Sequence, residues 1–326
     1  MTMFRKTLFI AAALTFSAFG FQAGNIYNCA MASTAQKTTK EIRNVDNFNA
    51  VAVIGNYDIV YTQGKTHKVE VEAPSNIMDK ITTEVKKGTL TISTKKIAGV
   101  RVITNTNSGN DVTVYVTSPT ITEAVLMGSG DFVSSTAITA DKLRIALLGS
   151  GDMSFSSISC NTLNASINGS GDISLKKVQA TQAAKIALNG SGDFNIDNVS
   201  TANANVALNG SGDLNIISLD SPTTNMALNG SGDMKATTIK TKNANASMHG
   251  NGDISLHFSQ CESLNSTVIG NGNMMLSGTT DIYRKSESTK GSINDSKLHY
   301  KQLVNAKSNA YTISSPISPG AIEAQP

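Results

Sequence analysis

A tetrapeptide that returns on a fixed beat constrains this chain more than any other feature. Gly-Ser-Gly-Asp ends at Asp131, Asp152, Asp172, Asp193, Asp213 and Asp233, then continues as Gly-Asn-Gly-Asp ending at Asp253 and Gly-Asn-Gly-Asn ending at Asn273. The steps between these fourth positions are 21, 20, 21, 20, 20, 20 and 20 residues. A constant period of this size marks a solenoid, in which each unit buries its apolar face only against its neighbours.

Aligning the units shows what faces inward. One place after the fourth position stand Phe132, Met153, Ile173, Phe194, Leu214, Met234, Ile254 and Met274, and three places after it Phe155, Leu175, Ile196, Ile216, Ala236, Leu256 and Leu276. The place between holds Ser154, Ser174, Asn195, Asn215, Lys235 and Ser255. This period-two alternation is that of a strand with one buried face. Further apolar columns run five places before (Leu126 to Val268) and six places after (Ile158 to Ile239), so each unit offers three short strands separated by turns. The predicted fold is all-β: a right-handed, single-stranded parallel β-helix (β-solenoid) with about 20 residues per rung. Leucine-rich, hexapeptide and calcium-binding nonapeptide solenoids are excluded by their own spacings. Regular rungs are expected over 121–280, inside a domain spanning 45–300. Upstream, alternation in Phe48–Tyr61, Lys68–Glu72, Thr89–Thr94 and Val112–Val116 predicts longer strands forming irregular first rungs. Lys290-Gly-Ser-Ile293 falls where a decayed ninth unit would stand.

Composition agrees and narrows the function. Of 326 residues only 16% are charged and 5% aromatic, with no Trp, while 31 are Asn and 26 Gly, a bias toward turns and strands. The stretch 121–280 carries 8 basic and 12 acidic side chains, which excludes the basic stripe of a nucleic-acid binder. Arg5 and Lys6 followed by the apolar run Leu8 to Phe19 predict a secretory signal over 1–20, cleaved after Gly20 or as late as residue 32. Cys29 lacks the small neighbours of a lipidation site. A linker over 21–44 and a loosely ordered tail over 301–326 complete the expected organisation. No later segment is long and apolar enough to span a membrane. The expected product is exported, to the periplasm, the outer-membrane surface or the medium.

The repeats, together with the lead-in Phe48-Asn-Ala-Val-Ala-Val-Ile-Gly-Asn-Tyr-Asp-Ile-Val-Tyr-Thr-Gln-Gly64 and Gly88-Thr-Leu-Thr-Ile92, resemble the bacterial family called putative autotransporter adhesin, head GIN domain. The resemblance covers roughly 45–295. It implies an exported β-helical protein of the envelope or cell surface with an adhesive role. Only some 46 residues follow Thr280, too few for the membrane β-barrel of a true autotransporter, so export by that route is not expected.

The repeat aspartates admit two chemistries. A column of carboxylates could present oxygens to Ca²⁺, which takes six to eight of them. The simpler reading makes Asp131, Asp152, Asp172, Asp193, Asp213, Asp233, Asp253 and Asn273 structural turn residues, each accepting a nearby backbone N–H, with the glycines supplying φ > 0 at the corner. Asn273 favours the turn, since Asn accepts the same bond but is a poorer calcium ligand. No cofactor is then required. The preceding column, Asn168, Asn189, Asn209, Asn229 and His249, predicts a stacked amide ladder. Cys160 and Cys261 share one column with Ala140, Thr181, Thr201, Ser221 and Thr241. They lie five rungs or about 24 Å apart, too far to bridge. Catalytic centres are not evident: the acids follow the repeat, the arginines are few, and no nucleophile–base pairing stands out. The expectation is a non-catalytic envelope or surface protein with an adhesin-like contact or scaffold role, meeting glycan, host or matrix. The alternatives are a polysaccharide lyase or hydrolase and a periplasmic structural or sensing module.

Overall fold

The computed structural model describes residues 37–97, 100–101, 112–287 and 290–305. The predicted signal, Cys29 and the tail beyond 305 lie outside these residues. Within them the chain winds into a β-solenoid of about nine turns. Phe132 pairs with Met153, and onward through Ile173, Phe194, Leu214, Met234, Ile254, Met274 and Ile293, all parallel and in register. The inward columns predicted from the alternation form one continuous core, from Phe132, Phe155 and Leu175 to Leu188, Leu208 and Leu228.

Where three separated strands per unit were expected, the early rungs run as single bent strands: Phe132–Leu147, Met153–Ile167, Ile173–Leu188 and Phe194–Leu208. The bend is made by bulges, not by open turns. Register slips by one residue between Ser134 and Ala137 and between Ala180 and Ala183, which absorbs the extra residue of the two 21-residue steps. One consequence corrects the cysteine column: Ala180, not Thr181, lies above Cys160. From Leu214 to Val268 each rung breaks into two strands, and Asn273–Glu287 runs again as one. Pro222 has no N–H to give, and its carbonyl instead accepts from the N–H groups of Lys242 and Asn243 at 3.1 and 3.0 Å.

That second corner carries buried hydroxyls. Thr201, Ser221, Thr241 and Thr280 each donate to the carbonyl two residues on, at 3.4, 2.7, 3.1 and 3.1 Å. Cys160 and Cys261 fill the same column as free, buried thiols. Burial first, and then the Asp141 charge, push the Cys160 thiol up to about 11, so it is inert at neutral pH.

The N-terminal strands close the end of the solenoid and only partly extend it. Ala50–Ile54 and Asp58–Gln63 form a true parallel rung beneath Glu123–Met127 and Phe132. Thr89–Thr94 and Thr113–Ser118 lie parallel beneath them. Then the direction reverses: Ile81–Lys86 pairs antiparallel with Thr89–Thr94, Lys68–Pro74 with Thr113–Ser118, and Thr38–Arg43 with Lys68–Pro74. Thr38–Arg43 falls in the stretch read as a linker. Its side chains are largely exposed, so no apolar alternation betrays it, and charge secures it instead, with Lys40 Nζ 3.1 Å from Glu72 and 4.7 Å above the Tyr115 ring. Short charged edge strands are the usual guard against edge-to-edge pairing. At the other end Ser292–Asn305 supplies the ninth unit, burying Ile293 and Leu298, and carries order past residue 300.

Candidate functional site

The repeated tetrapeptide makes the first corner, and its geometry differs from a chain of independent turns. Each aspartate's Oδ1 accepts the backbone N–H of the aspartate one rung on. Asp131 receives Asp152 at 3.1 Å, and the relay passes through Asp172, Asp193, Asp213, Asp233 and Asp253 to Asn273, at 2.7 to 3.0 Å. It begins one rung earlier than the motif shows, because Asp58 Oδ1 accepts the Asp131 N–H at 3.0 Å. Asn273 ends it, adding a bond from Nδ2 to Asp253 Oδ1 at 3.2 Å. The carboxylates thus clip rung to rung.

The glycines are required for a different reason from the expected one. Of the glycines in the eight repeats only Gly270 has a φ in the left-handed range. A Cβ on Gly149 would instead lie 1.9 Å from the Gly128 carbonyl oxygen, and the same collision, at 1.8 to 2.2 Å, recurs for both repeat glycines at every step up to Gly272. The corner backbones are stacked so closely that no side chain fits between them.

Burial holds the carboxyls of Asp131 and Asp172 above the usual carboxylate range; the N–H bond from the next rung pulls the other way, and neighbouring carboxylates add to the rise. With the folded pKa above the unfolded one, these groups subtract stability at neutral pH, and the loss is relieved as pH falls through the folded value toward the unfolded one. Asp172→Asn keeps the acceptor for Asp193 and removes the charge. It should equal or exceed the wild type in thermal stability at neutral pH and lack that acid-side gain. Asp172→Ala strands the Asp193 N–H and should cost about 0.5–1.5 kcal/mol. Melting across pH, with Ca²⁺ and with chelator, checks both. A calcium-dependent rise in the wild type that the Asn variant loses would overturn the clip reading. Among the described residues no three His, Cys, Asp or Glu side chains converge as metal ligands do.

One outward face carries the asparagines. The predicted ladder forms, with Nδ2 of Asn189, Asn209 and Asn229 donating to Oδ1 of the residue below at 2.8, 2.8 and 2.7 Å. A second ladder, Asn205, Asn225, Asn245 and Asn265, runs beside it at 3.0, 2.8 and 2.7 Å. Its signal is an Asn eight places before Asp213, Asp233, Asp253 and Asn273, a polar column that the apolar alternation does not reveal. Between the two ladders lie only Ala187, Ala207, Ala227 and Ser247. The ladders are four residues apart along each strand, about 13 Å, and the small residues, with Asn205, Asn225 and Asn245 of the second ladder, line a trough of about 450 Å³. Across 162–168, 183–189, 203–209, 223–229, 243–249 and 263–269 there is no carboxylate; Lys185 and His249 are the ionisable groups. Each Asn inside a ladder spends one N–H and one lone pair on it and keeps one of each for a partner. The adjoining corner holds a smaller recess of about 230 Å³ with mixed charge, where Lys240 pairs with Asp220 at 3.4 Å.

The sequence model of the family described as putative auto-transporter adhesin, head GIN domain, matches residues 47–226 and 222–312. The chain belongs to this family. Membership implies an exported or cell-surface protein of adhesin-like type. Three solved structures share the family member's solenoid fold. A putative adhesin from Parabacteroides merdae is 18% identical, with a TM-score of 0.58 over 80% of this chain and 96% of its own. A putative adhesin from Parabacteroides distasonis is 19% identical, with a TM-score of 0.56 over 80% and 98%. A putative lipid binding protein from the same organism is 21% identical, with a TM-score of 0.54 over 80% and 97%. No curated protein matches.

Proposed function

We propose that this chain is a non-catalytic exported protein that makes lateral contact with a glycan, host or matrix surface through its asparagine face. The observation that carries this reading is the trough lined by the Asn205, Asn225 and Asn245 ladder and its alanine floor, on a face free of carboxylate over six rungs. Amides and sugar hydroxyls both donate and accept, so such a face pairs with a hydroxylated polymer at every rung, while the alanine floor admits its C–H edges. A solenoid also keeps the face flat and repeating, which gives many weak contacts with one rigid partner. No metal or cofactor is part of this function. A catalytic role would need paired acids or an activated nucleophile in the trough; its lining offers Lys185 alone among charged groups.

The test joins glycan and matrix-protein arrays to protease shaving of whole cells. The purified domain should bind, and Ala207→Leu with Ala227→Leu, which fills the trough from partly exposed positions, should weaken binding by about tenfold or more while leaving the circular-dichroism spectrum and melting unchanged. A domain that binds nothing on either array and is not shaved from intact cells would refute the proposal.

A further inference from the structure

The sequence contains six Asn-Gly dipeptides, at Asn168, Asn189, Asn209, Asn229, Asn251 and Asn271. Asn followed by Gly is the dipeptide most open to ring closure, because no side chain shields the following peptide nitrogen. That nitrogen forms a bond to the Asn Cγ, the Cγ–Nδ2 bond breaks, and Nδ2 leaves as ammonia with the proton given up by the glycine N–H. Water then opens the five-membered imide at either carbonyl, leaving aspartate or isoaspartate. Ring closure demands that the Asn amide turn toward its own backbone and that the glycine peptide swing to meet it.

Two restraints oppose those motions along most of the solenoid. Asn189 and Asn209 are held at both ends of the amide, each donating below and accepting from above. The glycine that follows each is wedged between rungs: a Cβ on Gly190 would lie 1.9 Å from Gly169 O, and one on Gly210 1.9 Å from Gly190 O. Asn168, Asn229 and Asn251 each make a single ladder bond, but their glycines, Gly169, Gly230 and Gly252, are wedged on both sides by repeat glycines at 1.9 Å.

The last corner is looser. Asn271 donates to Asn251 Oδ1 at 3.0 Å, but the position above it belongs to Lys290, and the amide ladder ends. The glycine stack opens in the same place. Gly272 is still wedged from below, a Cβ on it lying 1.9 Å from Gly252 O, but the side above it is open: a Cβ on Gly291 would meet the Val268 side chain first and stand 2.9 and 3.1 Å from the carbonyl oxygens of Gly270 and Gly272, and the Ser292 N–H reaches Gly272 O only at 3.4 Å. We infer that Asn271–Gly272 is a site of spontaneous deamidation in the folded protein, and that the glycines stacked closely on both faces, helped at Asn189 and Asn209 by the complete amide ladder, keep the other five dipeptides intact. The product places a new carboxylate at the end of the aspartate relay. In its isoaspartate form it adds one backbone atom to the corner that carries Asn273.

The experiment is peptide mapping by mass spectrometry of the folded domain, held at mildly alkaline pH and physiological temperature, beside a sample kept unfolded in urea. In the folded sample the one-dalton gain, with the separate isoaspartate peptide, should accumulate at Asn271 about tenfold faster than at Asn168, Asn189, Asn209, Asn229 or Asn251, because only there is the glycine peptide free to swing on one side. In urea all six should react alike. Asn271→Ser, which restores the residue that six other corners carry, should abolish the early mass gain. Equal rates at Asn271 and Asn209 in the folded domain, or a folded Asn271 no faster than the ladder residues after correction for unfolding, would overturn the inference.

Discussion

Gly190→Ala should destabilise the domain by about 3–5 kcal/mol, near the upper end of what single substitutions do. The added Cβ would lie 1.9 Å from Gly169 O, 2.9 Å from its carbonyl carbon and 3.0 Å from its nitrogen. All three are backbone atoms, so no rotamer change relieves the clash; the rungs themselves must part. Parting them strains the bonds that hold the corner, including the Ser191 N–H to Gly169 O at 3.0 Å and the Asp193 N–H to Asp172 Oδ1 at 2.7 Å. Because each rung is stabilised only by its neighbours, the damage spreads up and down the stack. Ser191→Ala, one residue away and exposed, should stay within about 0.5 kcal/mol of the wild type. Urea unfolding followed by circular dichroism measures both. A Gly190→Ala protein that loses less than about 1 kcal/mol would show that the corner can spread cheaply, and the close-stacking account would fall.

That result bears on what the sequence discloses. The regular rungs are legible because burial in a stacked strand imposes strict alternation, and stacking repeats it every unit; Phe132 through Met274 announce themselves. The first member of the aspartate relay does not. Gly55-Asn56-Tyr57-Asp58 is a corner of the same kind, but Tyr57 stands in the place of the second glycine and Asp58 lies 73 residues before Asp131, so no period reaches it. The intervening residues fold back as the antiparallel cap and return to the stack at Glu123. Long-range pairing of this sort leaves no local trace. The bulges were visible as odd steps of 21, but which residue they expel depends on how the second corner packs, hence the exchange of Ala180 for Thr181. The trough was hidden for a plainer reason: polar columns carry the contact surface, whereas apolar columns carry the fold.

Phe132→Ala tests how the cap and the solenoid are joined, and should cost about 3–5 kcal/mol. Phe132 is fully buried in the first regular rung. Its ring stacks on Tyr61 of the rung below, with centroids 6.1 Å apart, and on Phe155 of the rung above, at 5.6 Å. Tyr61 is itself fixed, its hydroxyl 2.9 Å from Ser118 Oγ in the strand beneath. The three rings therefore form one column through the boundary between irregular and regular rungs, beside the Asp131 N–H to Asp58 Oδ1 clip and the Ile59 N–H to Asp131 O bond at 2.6 Å. Removing the middle ring leaves a cavity bounded by two aromatic faces that the fixed rung spacing cannot close, so the cost includes both lost burial and an unfilled void. A solenoid weakened at one interface should also lose cooperativity there. The variant should become more sensitive to proteolysis between residues 37 and 118 before the regular rungs unfold, with a shallower urea transition than the wild type. A single steep transition within about 1 kcal/mol of the wild type would mean that the cap is held by its backbone pairing alone.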